Sequence, residues 1–387
     1  MIDIFSNYEL QREELLARMA EDLQLDKTRS IRMETSYNAV SDFLSNDEEF
    51  FDTLKIEIYA QGSIRIGTSI KPLKDEDFDL DTVLHIYDPY YRHTPDEIYS
   101  ELVKALEKHE YYKTILEKKS RCVRLNYKGD FHMDILPGCM DSLTNYKKIR
   151  VPEKGLKLWT SSSPKEYAEW FLEKAKLSNS FLLERYAQEL LKAEISTEEL
   201  PKDHFYLKTP LQRAVQIFKR YRDLYFEGKE CKTSSIVLTT LIALNYEKED
   251  SIYKTLENVV YKIHLQLLES RRFNVLNPVN LEENFTDTWT QEHFDAFFGF
   301  VNDFYQKWKS LRQEFQQSKG DYIKLFGEEP YRIALKEQHL KFSQQTSNKL
   351  IKNSGLIIGG TAFTDSIGNI NETNGLKNGY HKNFGER

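Results

Sequence analysis

Two aspartates one residue apart on an apolar strand constrain this chain more than any other feature. Asp79 and Asp81 lie in Phe78-Asp79-Leu80-Asp81, which continues as a strand-like segment to Ile86. Alternate residues of a strand share a face, so the two carboxylates project side by side. Asp is disfavoured in strands, and two unit charges about 4 Å apart at an effective dielectric near 20 repel by roughly 4 kcal/mol. Either one carboxylate keeps its proton or a cation sits between them. A hard divalent ion such as Mg²⁺, held by one or two carboxylates plus substrate phosphates, meets that need. The plain competing reading is a solvated acidic loop over Asp75, Glu76, Asp77, Asp79 and Asp81. Two features oppose it. The run ends on an apolar strand, and Gly62-Ser63 lies one short connection upstream, where the strand-like Ile56-Glu57-Ile58-Tyr59 ends.

A third acid, Asp134, sits in Phe131-His132-Met133-Asp134-Ile135-Leu136-Pro137. Alternation turns Phe131, Met133 and Ile135 one way and His132 and Asp134 the other. An isolated Asp on a strand is more often a surface or hairpin residue. This one is flanked by apolar residues on a strand that would join the sheet of Asp79 and Asp81. Three carboxylates converging on one sheet make a two-metal site, one ion on donor phosphates and the other on an attacking hydroxyl whose pKa it lowers. Gly62-Ser63 supplies the phosphate end, since glycine lets backbone amides approach closely and the hydroxyl donates. A Gly-Ser pair alone carries almost no information. Followed after 16 residues by Asp-x-Asp, and after a further 53 by Asp134, it becomes a constellation.

The rest of the chain reads as α+β. Leu10, Leu15, Leu16, Met19 and Leu23, then Ile31, Tyr37, Val40 and Phe43, recur at helical spacing, giving two helices over 8–45. Strands follow at 56–60 and 79–86, a helix at 95–109 with Thr94 as N-cap, and strands at 121–127 and 131–136 joined by the turn Lys128-Gly129-Asp130. A first domain, 1–150, thus combines N-terminal helices with a mixed sheet. The second, 151–351, is almost all helix, at 164–176, 180–192, 209–226, 233–246, 250–270, 290–317 and 333–350. Ser163-Pro164-Lys165-Glu166 reads as a capping box, and 271–289 as an Asn/Pro-containing loop. The Gly/Asn-rich stretch 352–387 reads as a mobile tail.

Composition excludes several function classes. Net charge is −7, a poor match for long DNA or RNA, whose affinity comes from Lys and Arg on phosphates. Cys122, Cys139 and Cys231 are scattered, with no zinc spacing and no disulfide framework, which fits a reducing cytoplasm. The polar, acidic start is unlike a secretory signal. No run of 18 apolar residues exists, so no membrane span is expected. Trp159, Trp170 and Trp289 read as core. Arg65 reads equally well as a phosphate contact or a surface residue, and Asp75 and Asp77 as solvated neighbours of the site, with Asp77 the alternate ligand if the register slips by two.

Gly-Ser, Asp-x-Asp and a later strand-borne Asp resemble the DNA polymerase beta-type nucleotidyltransferases. Within that superfamily the chain resembles the bacterial cGAS/DncV-like nucleotidyltransferases (CD-NTases). The matching text is Gln61-Gly62-Ser63, Gly67-Thr68, Lys71-Pro72, Asp77 to Asp81, His132 to Pro137, Leu211-Gln212-Arg213, Lys219 to Asp223, Ser234-Ser235-Ile236, Asn277-Pro278 and Glu283-Asn284-Phe285, covering roughly 50–300. The resemblance implies a bilobed cage, with a catalytic polymerase beta-like lobe and a helical lobe closing over the nucleotide. It implies synthesis of a cyclic di- or trinucleotide from ribonucleoside triphosphates, with release of pyrophosphate, in antiphage (CBASS) signalling. Asp79, Asp81 and Asp134 would hold two Mg²⁺ ions, with Mn²⁺ able to substitute, and Gln61, Gly62, Ser63, Lys219, Ser234 and Ser235 would bind nucleotide. Against these roles stand ordinary ones. Lys219, on the shoulder of an apolar helix face, could snorkel, and Ser234 or Ser235 could simply cap a helix. The tail could engage a partner from the same defence operon, since some bacterial relatives are joined through their C-terminus to target molecules. The alternatives are a transferase acting on RNA ends or on a protein, and a catalytically silent nucleotide-binding module.

Overall fold

The computed structural model describes residues 8–73, 77–153, 155–176, 208–312 and 315–340, with three two-residue strands between 363 and 377. Seven strands form one mixed sheet: β1 (Ile56–Ala60), β2 (Phe78–Pro89), β3 (Leu116–Lys118), β4 (Val123–Tyr127), β5 (Phe131–Met140), β6 (Ile149–Pro152) and β7 (Trp159–Ser162). The order is β1-β2-β5-β4-β3, with β6 on β5 and β7 on β6. β2 and β5 run parallel, while β1–β2, β3–β4, β4–β5, β5–β6 and β6–β7 run antiparallel. A parallel pair needs a long crossover. Here it contains the helix Pro95–Glu107, which starts on a complete capping box at Thr94 and Glu97 with Pro95 in the first turn.

Alternation divides the sheet into two chemistries. Leu80, Leu84 and Ile86 of β2 and Phe131, Met133 and Ile135 of β5 pack under the sheet against Val40 and Leu44 of the helix Lys27–Ser45 and Ile98, Leu102 and Leu106 of the crossover helix. The opposite face carries the acids.

A second core holds the helical lobe. Val215 and Phe218 of Pro210–Tyr225 meet Val237 and Leu241 of Ser235–Asn245, Val259 and Ile263 of Ile252–Glu269, and Phe297, Phe300 and Phe304 of Gln291–Ser310. The N-terminal helix Tyr8–Asp22 sends Leu15, Leu16 and Met19 into this same core. Glu13 on that helix accepts from the free backbone amides of Ile252 and Tyr253, at 2.5 and 3.1 Å, capping a helix more than 200 residues away.

Several local expectations differ from the structure. The sheet continues through β6 and β7 to Ser162, past residue 150. The expected capping box is absent: Ser163 makes no side-chain cap, and Glu166 takes a hydrogen bond from Asn145 at 3.3 Å. The 290–317 helix is two, Gln291–Ser310 and Phe315–Phe326. The 271–289 stretch holds a hairpin, Leu276–Asn277 against Asn280–Asn284. The expected helix at 180–192 lies outside the described residues, as does the part of 333–350 beyond residue 340. So does the 352–387 tail, apart from Phe363–Thr364, Ile370–Asn371 and Leu376–Lys377, which pair antiparallel.

Candidate active site

Register brings the acids together. In the parallel β2–β5 ladder Asp81 lies opposite Asp134, and Asp79 opposite His132. Thr82 Oγ1 donates to the Asp134 carbonyl at 3.0 Å, tying the two strands together beside the carboxylates. Asp77 is carried past the site to His132, with its Oδ2 3.6 Å from Nε2, so the alternative register that would place Asp77 beside Asp134 is not the one adopted.

The Gly-Ser element sits directly over Asp81. Gln61 donates its backbone N–H to the Asp81 carbonyl at 2.8 Å. Gly62 then turns the chain at φ +59° into the short helix Gly62–Arg65. A Cβ at Gly62 would lie 2.6 Å from Asp81 Oδ2. Glycine is needed twice over, for its left-handed backbone and for the space the carboxylate occupies. Arg65 turns away to the Tyr59 ring, at 5.8 Å.

Sequence reasoning missed Arg124. On β4 it lies opposite Asp134. Nε donates to Asp134 Oδ1 at 2.6 Å, Nη2 to Oδ2 at 2.8 Å, and Nη2 also to Asp79 Oδ1 at 3.2 Å. The signal was available. The Lys128-Gly129-Asp130 turn pairs Tyr127 with Phe131, and counting back along both strands pairs Arg124 with Asp134.

The electrostatics follow from crowding. Burial, then the charges of Asp134 and Asp79, push the Asp81 carboxyl up to about 7. Burial also raises Asp79, against the pull of Arg124. Arg124 is held even more firmly protonated than usual by its hydrogen bonds to Asp134. In the helical lobe, burial and the nearby Arg222 bring Lys219 down to about 7, against the attraction of Asp223 and Asp81.

Lys219 does not snorkel. It is buried, and its ammonium donates to the Thr68 carbonyl at 3.0 Å. Three neighbours on the same helix do likewise: Gln212 to Ile66 O at 2.9 Å, Gln216 to Ser69 O at 2.8 Å and Arg220 to Lys71 O at 2.5 Å. Spaced three and four residues apart, they lie on one helix face and lace it to the loop between Gly62-Ser63 and Asp79. Ser234 is the N-cap of Ser235–Asn245 but makes no side-chain cap, so its hydroxyl does not serve the bland role. Ser235 Oγ accepts from Arg222 Nη1 at 2.7 Å. Arg222 was not singled out from sequence. Its guanidinium also grips Asp223, which pairs with Lys232 at 3.0 Å.

The donor set suits a hard divalent ion, since Asp79, Asp81 and Asp134 offer only carboxylate oxygens. A like-charge cluster that drives one member toward neutrality is chemistry that a cation would relieve. Among the described residues no group of three acidic, His or Cys side chains is arranged so that it could hold a metal ion. Asp134 is turned to Arg124 instead.

Comparison with known proteins accords with this geometry. The family described as the Second Messenger Oligonucleotide or Dinucleotide Synthetase domain matches residues 11–175. A c-di-GMP synthase of Roseivirga ehrenbergii is 40% identical over 359 residues, spanning 90% of this chain and 92% of that protein. The solved structure of the Bradyrhizobium diazoefficiens CD-NTase CdnG in complex with GTP superposes with a TM-score of 0.68 at 19% identity, covering 84% of this chain and 98% of that one. Escherichia coli CdnC with ATP gives a TM-score of 0.59 at 15% identity, over 82% of this chain and 98% of that one. At such identities these two likenesses speak for the fold alone, an α+β polymerase beta-like lobe joined to a helical lobe. Taken with the full-length relative, they establish that the chain belongs to the CD-NTases and is a nucleotidyltransferase.

Proposed function

We propose that this protein joins ribonucleoside triphosphates into a cyclic dinucleotide second messenger. Guanine nucleotides are the first substrates to test, because the 40% identical relative is a c-di-GMP synthase. The observation that carries the reading is the register that sets Asp81 against Asp134, with Asp81 Oδ2 filling the space that a Cβ at Gly62 would need.

In this reading the sheet-bearing lobe is the catalytic unit and the helical lobe its lid over the nucleotide. Gly62 and Ser63 present a backbone amide and a hydroxyl to the triphosphate, with Gln61 fixing the turn that carries them. Lys219, Ser234 and Ser235 supply cation, hydroxyl and helix-end amides from the other lobe. Asp79 and Asp81 would hold one divalent ion and Asp134 would help hold a second, Mg²⁺ or Mn²⁺. When bound, such ions neutralise phosphate charge and acidify the attacking hydroxyl. Asp134 orients the acceptor ribose hydroxyl and takes its proton. The freed oxygen forms a bond to the α-phosphorus, and the bond from that phosphorus to the bridging oxygen of pyrophosphate breaks. A second transfer closes the ring. Catalysis here is positioning and charge neutralisation.

The product would serve antiphage signalling in the cytoplasm; no helix among the described residues is long and apolar enough to cross a membrane. A protein partner for the C-terminal stretch 352–387 fits the same role, and an E. coli relative of this fold is known in complex with HORMA.

The test is direct. Incubate the protein with Mg²⁺ and all four labelled ribonucleoside triphosphates, treat with phosphatase, and identify resistant products by chromatography and mass spectrometry. A cyclic product absent from the Asp79→Ala, Asp81→Ala protein is expected. A doubly substituted protein that releases pyrophosphate at the wild-type rate rejects the site. A labelled RNA or protein product in place of a cyclic nucleotide redirects the assignment to another branch of the superfamily.

A further inference from the structure

Arg124 is the cation held by the three-carboxylate site in this structure. Both oxygens of Asp134 are engaged by it, and one oxygen of Asp79 as well. The pairing is a forked one, in which a planar guanidinium grips a carboxylate through two parallel hydrogen bonds, the strongest form of such contact. Backbone pairing fixes the base of the side chain. β4 lies inside the sheet, between β5 and β3, with Arg124 in register with Asp134. The strand cannot withdraw, so only the guanidinium can leave. The side chain keeps 21% of its surface open to solvent, which leaves it a way out.

A metal ion and this guanidinium compete for the same oxygens. A carboxylate that accepts two charge-assisted hydrogen bonds has little left for an ion, and a fixed positive charge beside it repels one. Phosphate changes the balance, because a triphosphate offers the guanidinium equivalent forked partners. We propose that Arg124 is a positioning residue. It holds Asp134 and Asp79 in place while the protein is metal-free, and it suppresses metal binding at Asp134 until nucleotide phosphates draw the guanidinium away. Metal and nucleotide then bind as one coupled event rather than independently. The inference rests on the reading that Asp79, Asp81 and Asp134 are the metal ligands.

The experiment titrates Mn²⁺ alone into the nucleotide-free protein and counts free ion by electron paramagnetic resonance, without any measurement of activity. The proteins are wild type, Arg124→Gln, Arg124→Lys and Asp79→Ala, Asp81→Ala. Arg124→Gln is expected to bind Mn²⁺ at least about tenfold more tightly than wild type, about 1.4 kcal/mol. Arg124→Lys, which keeps the charge but loses the fork, should fall between the two. Adding a non-hydrolysable triphosphate analogue should tighten Mn²⁺ binding strongly in wild type and much less in Arg124→Gln. Mn²⁺ affinity that is unchanged or weaker in Arg124→Gln overturns the proposal. Should thermal melting show that Arg124→Gln does not fold, Arg124→Lys decides by the same criterion. Wild-type Mn²⁺ binding by the Asp79→Ala, Asp81→Ala protein would instead remove the metal-site assignment, and this inference with it.

Discussion

Lys219 and Thr68, 151 residues apart in sequence, meet where the helical lobe touches the loop leading into β2, with the ammonium 3.0 Å from the carbonyl. The bond is one of four from a single helix to that loop. It places a cation of lowered basicity within electrostatic reach of Asp81.

Replacing that cation separates binding from architecture. Lys219→Met keeps the length of the side chain and removes its charge. Loss of one buried hydrogen bond should lower stability by about 1–3 kcal/mol, offset by relief of the charge burial. The KM for nucleoside triphosphate should rise by roughly tenfold or more, about 1.4 kcal/mol of binding. Steady-state kinetics beside urea melts give both quantities. An unchanged KM would leave Lys219 as a purely structural tie.

Gly62→Ala should be far more harmful than its size suggests. The backbone at φ +59° disfavours any side chain, and the new methyl would collide with Asp81 Oδ2. A left-handed alanine costs about 1 kcal/mol, so the fold should survive. Displacement of the carboxylate should cut kcat by roughly a hundredfold. A variant with wild-type kcat would show that the close approach has no catalytic consequence.

His85 predicts an acid sensitivity remote from the carboxylates. It is fully buried on the same face of β2 as Asp79 and Asp81, neither ring nitrogen has a hydrogen-bond partner among the described residues, and the ring stacks on Tyr87 at 4.2 Å. Burial, reinforced by Lys165, depresses its pKa to about 4 from 6.5. Between those values the unfolded chain binds more protons than the folded one, so stability falls as pH falls. The contribution is complete above pH 6.5 and lost by about pH 4, with an upper bound of about 3 kcal/mol. Urea melts at the two ends of this window should show His85→Phe losing about 2 kcal/mol less than wild type on acidification. Equal losses would refute the assignment.

The N-terminal helix provides a test of lobe membership. Leu15 is fully buried in the helical core rather than under the sheet. Leu15→Ala should therefore cost about 2–5 kcal/mol and loosen Ile252–Glu269, measured by hydrogen exchange, more than the strands. Exchange that quickens first in β1 and β2 would place the helix with the sheet instead.

Four of the seven strands, β1, β2, β4 and β5, were readable from alternation, whereas the short β3, β6 and β7 were not. Asp79, Asp81 and Asp134 followed from that alternation together with the family resemblance. Arg124 was overlooked because its meaning lies between strands, in a pairing that only the Gly129 turn reveals. Lys219 was seen but its partner was not, because a contact to the Thr68 carbonyl depends on how two lobes meet. The allegiance of Tyr8–Asp22 was hidden for the same reason: helical periodicity says that a face is buried, not against what.

The parallel pairing of β2 with β5 has a consequence for how the molecule comes into being. Asp81 and Asp134 are 53 residues apart and become neighbours only when the crossover has closed. Contacts of such sequence separation form slowly, since chain entropy is lost before they are gained. During synthesis, a nascent chain that has not yet emerged beyond Asp134 has no assembled acidic site. The full three-carboxylate cluster is therefore imposed on the protein only once β5 is in place beside β2.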